Sequence, residues 1–255
     1  MKKLLLDKKT TIAVIGHGRF GQLLARILLE STQIKIIVIS SKKINLVNKN
    51  LKQVSINDIK KADVIIPCVP ISEFKSVIKQ IAPLIKKDSV VMDICSVKTL
   101  PVEIMKKYLP VSIQIIASHP MFGPDSYEMK KRVKDLRLVL WNIRAEEKNY
   151  LQIKNFFNNL GVKIIELSPE NHDKFMALSL GYSYLIGKIG QRMNIKKTTI
   201  DTYDFQLLLE HEAIIERDSD QLFFDMQTQN PFAKNMLVKF SKTFNDLLNE
   251  IKHSD

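Results

Sequence analysis

Apolar and polar positions along the chain follow two rhythms. Through residue 168, short apolar runs rich in β-branched residues recur: Thr11 to Ile15, Ile34 to Ile39, Ala62 to Pro70, Ser89 to Ile94, Ile113 to Ala117, Leu136 to Trp141 and Val162 to Leu167. Between them lie stretches with helical spacing, such as Leu23, Leu24, Ile27 and Leu28, then Glu73 to Ile85, then Tyr150, Ile153, Phe156, Phe157 and Leu160. Strands alternating with helices predict an α/β fold with a mostly parallel, doubly wound sheet and right-handed crossovers. The rhythm changes at Ser168-Pro169-Glu170, a helix start with a serine cap, a proline at the first position and an acid in the first turn. Beyond it the pattern predicts helices only. One long helix runs from Pro169 to Met193, with an apolar surface almost all round and Gly181, Gly187 and Gly190 for close packing. A second is capped by Asp201, and a last one starts at Asn230-Pro231 with the stripe Phe232, Met236, Phe240, Phe244, Leu247, Leu248 and Ile251. The expected organisation is a sheet domain over 1–168 and a smaller helical domain over 169–255. That much apolar helix surface predicts a homodimer through the helical domain, with packing on the sheet domain as the alternative.

The first strand runs straight into Gly16-His17-Gly18-Arg19-Phe20-Gly21 and then into a helix. In this strand–turn–helix context G-x-G-x-x-G is the fingerprint of a dinucleotide-binding Rossmann sheet. Gly16 permits the tight turn, Gly18 the approach of a pyrophosphate, and Gly21 close helix–strand packing. Arg19 and Phe20 join these glycines as candidate cofactor contacts, as do Val69 and Pro70 beyond a later strand. The second strand ends at Ser40-Ser41-Lys42-Lys43, where NAD enzymes of this fold carry an acid for the ribose 2′-hydroxyl. Ser40, Ser41 and Lys42 suit a 2′-phosphate instead, so NADP is the expected cofactor, with NAD as the alternative.

Composition adds little to this picture. The net charge is +12, yet the lysine pairs are scattered and no aromatic residues interleave with them, which argues against nucleic acid. No apolar run reaches the roughly 20 residues of a membrane helix. The opening Met1 to Asp7 has an apolar part of only three residues, too short for a signal peptide. Two cysteines, Cys68 and Cys95, fit reduced thiols and a cytoplasmic setting.

Two further polar clusters fall at strand ends on the cofactor side: Cys95-Ser96-Val97-Lys98 and Ser118-His119-Pro120-Met121-Phe122-Gly123-Pro124. The prolines of the second predict a shaped loop rather than more strand. Its histidine is either a turn cap or an acid/base group. Hydride transfer from an alcohol carbon needs an acceptor for the hydroxyl proton, and neutral imidazole suits that task near pH 7. Ser96 would hold imidazole and substrate oxygen in register. No ligand-spaced cluster suggests a metal.

These motifs together resemble the prephenate/arogenate dehydrogenases of tyrosine biosynthesis. Asp93-Ile94-Cys95-Ser96-Val97-Lys98 is similar to that family's D-x-x-S-V-K segment. Ser118 to Pro124 is similar to its S/T-H-P-M-x-G signature, in the form of the plant-type arogenate dehydrogenases. Asn171-His172-Asp173 resembles the H-D that opens the family's helical domain, and Gln227 to Pro231 a late helix-breaking segment. The resemblance implies NAD(P)-dependent oxidative decarboxylation of a cyclohexadienol carboxylate. His119 would take the C4 hydroxyl proton, with Ser96 bonded to both. It also implies substrate contacts from Gly123 and His172, and leaves Lys98 either to brace the loop or to attract carboxylates. Where many members carry a second histidine, this chain has Tyr184, and Arg217 is the candidate for the side-chain carboxylate. That departure tilts the expectation towards arogenate. The rival readings are another two-domain NADP dehydrogenase using Lys174, or a nucleotide-binding protein without catalysis.

Overall fold

The structure is a computed structural model that describes residues 6, 10–31, 34–44 and 48–254. The segment weighed above as a possible leader lies, apart from Leu6, outside the described residues. The chain divides into two compact units, Met1–Pro169 and Glu170–Asp255.

In the first unit eight strands form one sheet in the order β3-β2-β1-β4-β5-β6-β7-β8. They are β1 (Thr11–Ile15), β2 (Lys35–Ile39), β3 (Leu51–Gln53), β4 (Val64–Pro67), β5 (Val90–Met92), β6 (Gln114–Pro120), β7 (Arg137–Arg144) and β8 (Lys163–Glu166). All neighbours are parallel except β6 and β7. The helices are α1 (Arg19–Ser31), α2 (Ile71–Ile81), α3 (Thr99–Tyr108), α4 (Pro124–Lys130) and α5 (Glu147–Asn159). Period-two alternation splits each strand between two apolar layers. Ala13 and Ile15 pack with Phe74, Ile78 and Met105 of α2 and α3. Ile12 and Val14 pack with Leu24 and Leu28 of α1 and with Ile153 and Phe157 of α5. The chain reverses direction across the sheet between β1 and β4, the place where such folds bind ligands beyond the strand ends.

Two expectations change here. β3 is an edge strand that no apolar run announces; its three residues are only partly buried or exposed. More consequentially, Ser118, His119 and Pro120 are not a loop. They are the last residues of β6, paired with Leu140, Val139 and Leu138 of β7. Strand β5 has already ended at Met92, opposite Ile116. The Met121 amide bonds to the Arg137 carbonyl at 2.9 Å. By alternation the nitrogen of Pro120 therefore faces the edge that β5 has vacated, where no donor is required.

The second unit is helical. α6 (Pro169–Met176) runs through a π turn at Ala177–Gly181 into α7 (Tyr182–Met193), so the long helix is continuous but locally widened. It is not buried all round: Phe175, Leu178, Tyr182 and Met193 are exposed. α8 (Tyr203–Glu216) packs on α7 across Gly187 and Gly190. A Cβ at Gly187 would lie 2.8 Å from Ile215, and one at Gly190 would strike the Glu212 carboxylate. Thr202, not Asp201, caps α8 by accepting from the Phe205 amide; Asp201 instead closes the preceding turn through Thr198. α9 (Asp220–Gln229), capped by Ser219, was not anticipated, and α10 begins at Ala233 and ends at Lys252.

Candidate active site

The glycine turn has the build that a dinucleotide requires. Gly16 sits at φ +95°, and a Cβ there would fall 2.3 Å from the Cys68 carbonyl. Gly21 brings α1 against β1 so closely that its Cβ would meet the Gly16 carbonyl at 2.4 Å. Gly18 differs, because nothing lies within 4 Å of where its Cβ would project. The turn is therefore tight towards the protein and open at Gly18, directly before the N-terminus of α1, where N–H groups and the helix dipole favour phosphate. Val69 and Pro70 close β4 beside this turn, with a Val69 methyl 3.3 Å from the Gly16 Cβ position. Arg19 pairs with Asp125 at 2.7 Å and Phe20 lies against Phe122 at 6.3 Å, so this corner of α1 is bound to the start of α4. Burial lowers the pKa of His17 between the first two glycines.

After β2, Ser40 accepts from the Lys42 amide at 3.2 Å, and Gln53 of β3 holds the Ser40 and Lys42 carbonyls at 3.3 and 2.8 Å. Edge strand β3 thereby shapes the turn, leaving Ser41, Lys42 and Lys43 exposed and no acid at its tip.

An enclosed polar cluster lies where β5 and β6 part. The Asp93 carboxylate accepts from the Ser118 amide at 3.2 Å and the Cys95 amide at 3.1 Å, and pairs with Lys98. Lys98 also donates to the Ser118 carbonyl at 2.5 Å, and the Ser118 hydroxyl donates to the Asp93 carbonyl. Asp93 is 0% exposed and Lys98 1%. Burial pushes the Asp93 carboxyl up from its ordinary range, against the pull of Lys98 and the two amides. Of the two roles open to Lys98, this geometry favours bracing the loop. Ser96 is carried within the loop so closed, half-buried between Cys95 and Val97. Those two neighbours lie in the same apolar layer as Ile115 and Ala117. By alternation His119 projects from that face too, 6% exposed. Burial holds the Cys95 and Cys68 thiols well above their ordinary value, which leaves them poor nucleophiles. Asp93 carries no role in its sequence motif alone; an acid after a buried strand, five residues before a lysine, is the signal that marks it.

Gly123 caps α4, its amide donated to the Ser126 hydroxyl at 2.9 Å, with open space at its Cβ position. In the second unit His172 and Asp173 are fully buried and joined at 2.8 Å, and Asn230 donates to the Asp173 carbonyl at 2.9 Å. Gln227 donates to Gly181, in the π turn, at 2.8 Å. Tyr184 is buried and its phenol bonds the Asp218 carboxylate. Arg217, exposed at the end of α8, is adjacent to that aspartate. The structure thus joins Tyr184 and the Arg217 corner through Asp218, a residue the sequence reading did not single out. Lys174, the group of the rival dehydrogenase reading, pairs with Glu170 at 2.7 Å and lies over the Phe232 ring. Among the described residues, no three His, Cys, Asp or Glu gather to hold a metal. No described helix is long and apolar enough to cross a membrane.

Comparison with known proteins gives these features a setting. Residues 29–166 match the family described as prephenate dehydrogenase, nucleotide-binding domain, and residues 189–255 match the TYRAAT1-like C-terminal domain. Arogenate dehydrogenase 2 of Arabidopsis thaliana, a chloroplastic protein, is 27% identical over 250 residues, covering 94% of this chain and 69% of the plant protein. A Methanocaldococcus jannaschii protein described as "Probable arogenate/prephenate dehydrogenase" is 27% identical over 207 residues; the match covers 77% of this chain but 45% of that protein. The chain therefore spans less than half the length of that archaeal relative. Among solved structures, Aquifex aeolicus prephenate dehydrogenase in complex with hydroxyphenyl propionate and NAD+ superposes with a TM-score of 0.72 at 16% identity, covering 95% of this chain and 90% of that one. Synechocystis arogenate dehydrogenase superposes with a TM-score of 0.68 at 19% identity, covering 95% and 92%. At these identities the two structures support the fold.

Proposed function

The chain belongs to the prephenate dehydrogenase family, and on that premise we propose that it oxidatively decarboxylates a cyclohexadienol carboxylate, arogenate in preference to prephenate, with NADP. The observation that carries the reading is the placement of His119. It is buried at the end of a central strand, on the face shared by the loop that bears Ser96 and on the side of the sheet where the glycine turn opens. The bound nicotinamide would supply the hydride acceptor. His119 removes the proton from the substrate hydroxyl, and Ser96 orients imidazole and hydroxyl. Loss of the ring carboxylate as carbon dioxide then leaves an aromatic product.

Several groups extend the proposal. Gly16, Gly18 and Gly21 hold the pyrophosphate, with Val69, Pro70 and Phe20 along the dinucleotide. Ser40, Ser41 and Lys42 take the 2′-phosphate, because the exposed turn offers hydroxyls and a cation in place of an acid. Gly123 and His172 border the substrate. Arg217 binds its side-chain carboxylate, and the adjoining Asp218 carboxylate gives a reason to favour an amino-acid side chain, whose ammonium pairs with an acid. A second copy of the chain covers the helical unit, and the free thiols Cys68 and Cys95 suit the reducing cytoplasm.

The test is a side-by-side assay of arogenate and prephenate with NADP and NAD, on the wild type and on His119→Asn. The variant is expected to bind NADP as the wild type does while kcat falls by about 100- to 10,000-fold. Full activity in the variant removes His119 as the base, and a strong NAD preference removes the phosphate role of Ser40 to Lys42.

A further inference from the structure

Strand β6 has a partner on both sides only as far as Ile116, and beyond that its β5-facing edge is unladdered. The next residue whose N–H and C=O point to that edge is Ser118. Both groups are met, but by side chains: the amide by the Asp93 carboxylate at 3.2 Å, the carbonyl by Lys98 at 2.5 Å. The two side chains also pair with each other, and Asp93 turns back to hold the Cys95 amide at 3.1 Å. A buried carboxylate and ammonium thus imitate, in that order, the acceptor and the donor of the strand that has stopped. The same pair closes the chain from Asp93 to Lys98 into a loop, and Ser96 rides on that loop. One ion pair therefore fixes the main chain on both sides of the site, at Ser118 immediately before His119 and at Cys95 immediately before Ser96.

We propose that Asp93 and Lys98 are positioning residues that set the register of Ser96 against His119. The inference rests on the reading of His119 as the base and deepens it. Neither side chain touches substrate in this account. Their hydrogen bonds hold two backbone segments that would otherwise settle independently, and a displacement of about 1 Å at such a centre costs about a hundredfold in rate. The pair also explains why a polar Ser-His step can end a strand beside an apolar layer: each buried backbone group has a partner. The two charges also offset each other there, so removing one strands the other without a counter-ion, while removing both strands neither.

Asp93→Asn, Lys98→Gln and the double variant separate positioning from mere support. For each, kcat and KM are measured with both cyclohexadienols, NADP affinity by direct titration, and amide exchange at Ser118 and Cys95 by NMR. Each single variant leaves one buried charge without its counter-ion. The expectation is a fall in kcat of about tenfold to a hundredfold with NADP affinity within about twofold. In the double variant no charge is stranded, although an asparagine in place of Asp93 offers one acceptor oxygen for two backbone amides and a glutamine in place of Lys98 is shorter than lysine. Its fall in kcat is expected to be at least about tenfold smaller than the product of the two single falls. If a single variant does not fold, the double variant is compared with the wild type, and its kcat should fall by no more than about a hundredfold with NADP affinity within about twofold. The proposal is overturned if folded single variants keep wild-type kcat, if kcat and NADP affinity fall together, or if the single falls multiply in full in the double variant. Should the wild type bind NADP yet turn over neither substrate, the functional reading fails by itself. The pair is then judged on amide exchange, which should be faster at Ser118 or Cys95 in the single variants than in the wild type, and unchanged exchange at both would overturn it.

Discussion

Gly16, Gly18 and Gly21 meet different neighbours, so one substitution has different consequences at each. An alanine at Gly16 would have to hold φ +95° and would drive its Cβ into the Cys68 carbonyl, 2.3 Å away. An alanine at Gly18 meets no protein atom within 4 Å. Gly18→Ala is therefore expected to unfold at the wild-type temperature but to bind NADP at least about tenfold more weakly, roughly 1.4 kcal/mol. Gly16→Ala is expected to lose stability first, by about 1–3 kcal/mol for the strained backbone alone. Thermal unfolding beside cofactor titration checks both, and wild-type affinity in Gly18→Ala would place the phosphates elsewhere. At this scale the sequence was informative wherever spacing carries the chemistry, as in the glycine turn, in Ser96 beyond β5 and in His119 at the end of β6. It was silent on partners brought from far along the chain. Nothing in the residue order says that Tyr184 meets Asp218 or that Arg19 meets Asp125.

Among the elements, strands with buried β-branched runs were legible and the exceptions have physical causes. β3 is three partly covered residues at an edge, without an apolar pattern to report it. The last residues of β6 read as a loop because proline cannot donate to a ladder. On an edge whose neighbour has ended, that donor is not wanted, so the strand continues. The π turn and the short α9 arise from packing and from the Ser219 cap rather than from a clear period. The junction of α5 and β8 offers a test of how one such contact holds an edge. The Tyr150 phenol donates to Glu166 at 2.6 Å, and Lys154 bonds the same carboxylate. Lys154 first, and Tyr150 second, hold the Glu166 carboxyl below its ordinary value. Such a group stabilises above its unfolded-state value and loses that contribution as pH falls through the folded one. Tyr150→Phe is expected to cost about 1 kcal/mol near neutral pH, because Glu166 can turn to water, and to lower Tm by about 2–4 °C. The gap should close on acidification below the glutamate range. A gap that persists there would mean the phenol acts through packing.

For the whole molecule, the open question is what meets the far half of α10. The stripe Phe240, Phe244, Leu247, Leu248 and Ile251 keeps to one face at helical spacing. Phe240 is engaged, edge-on to Tyr182 and stacked on Phe244. Beyond it every described residue from 241 to 254 is exposed, with Phe244 51%, Leu247 53% and Ile251 61% accessible. A helical segment of that length holds its shape poorly in water without packing. A second copy offers the same stripe, so two such faces can cover one another about a twofold axis, with Lys239, Lys242, Asp246 and Glu250 left towards water. The scattered lysines behind the +12 charge do not oppose this, since none falls within the stripe. Burying a large apolar side chain contributes about 1.5–3 kcal/mol, so replacing two by acids should be decisive. Leu247→Glu combined with Ile251→Glu is expected to weaken self-association at least about a hundredfold, roughly 2.7 kcal/mol, turning a dimer into a monomer in sedimentation at micromolar concentration. NADP affinity should stay as in the wild type, because the glycine turn lies in the other unit. A wild type that sediments as a monomer, or a double variant that remains a dimer, would take this stripe out of the interface.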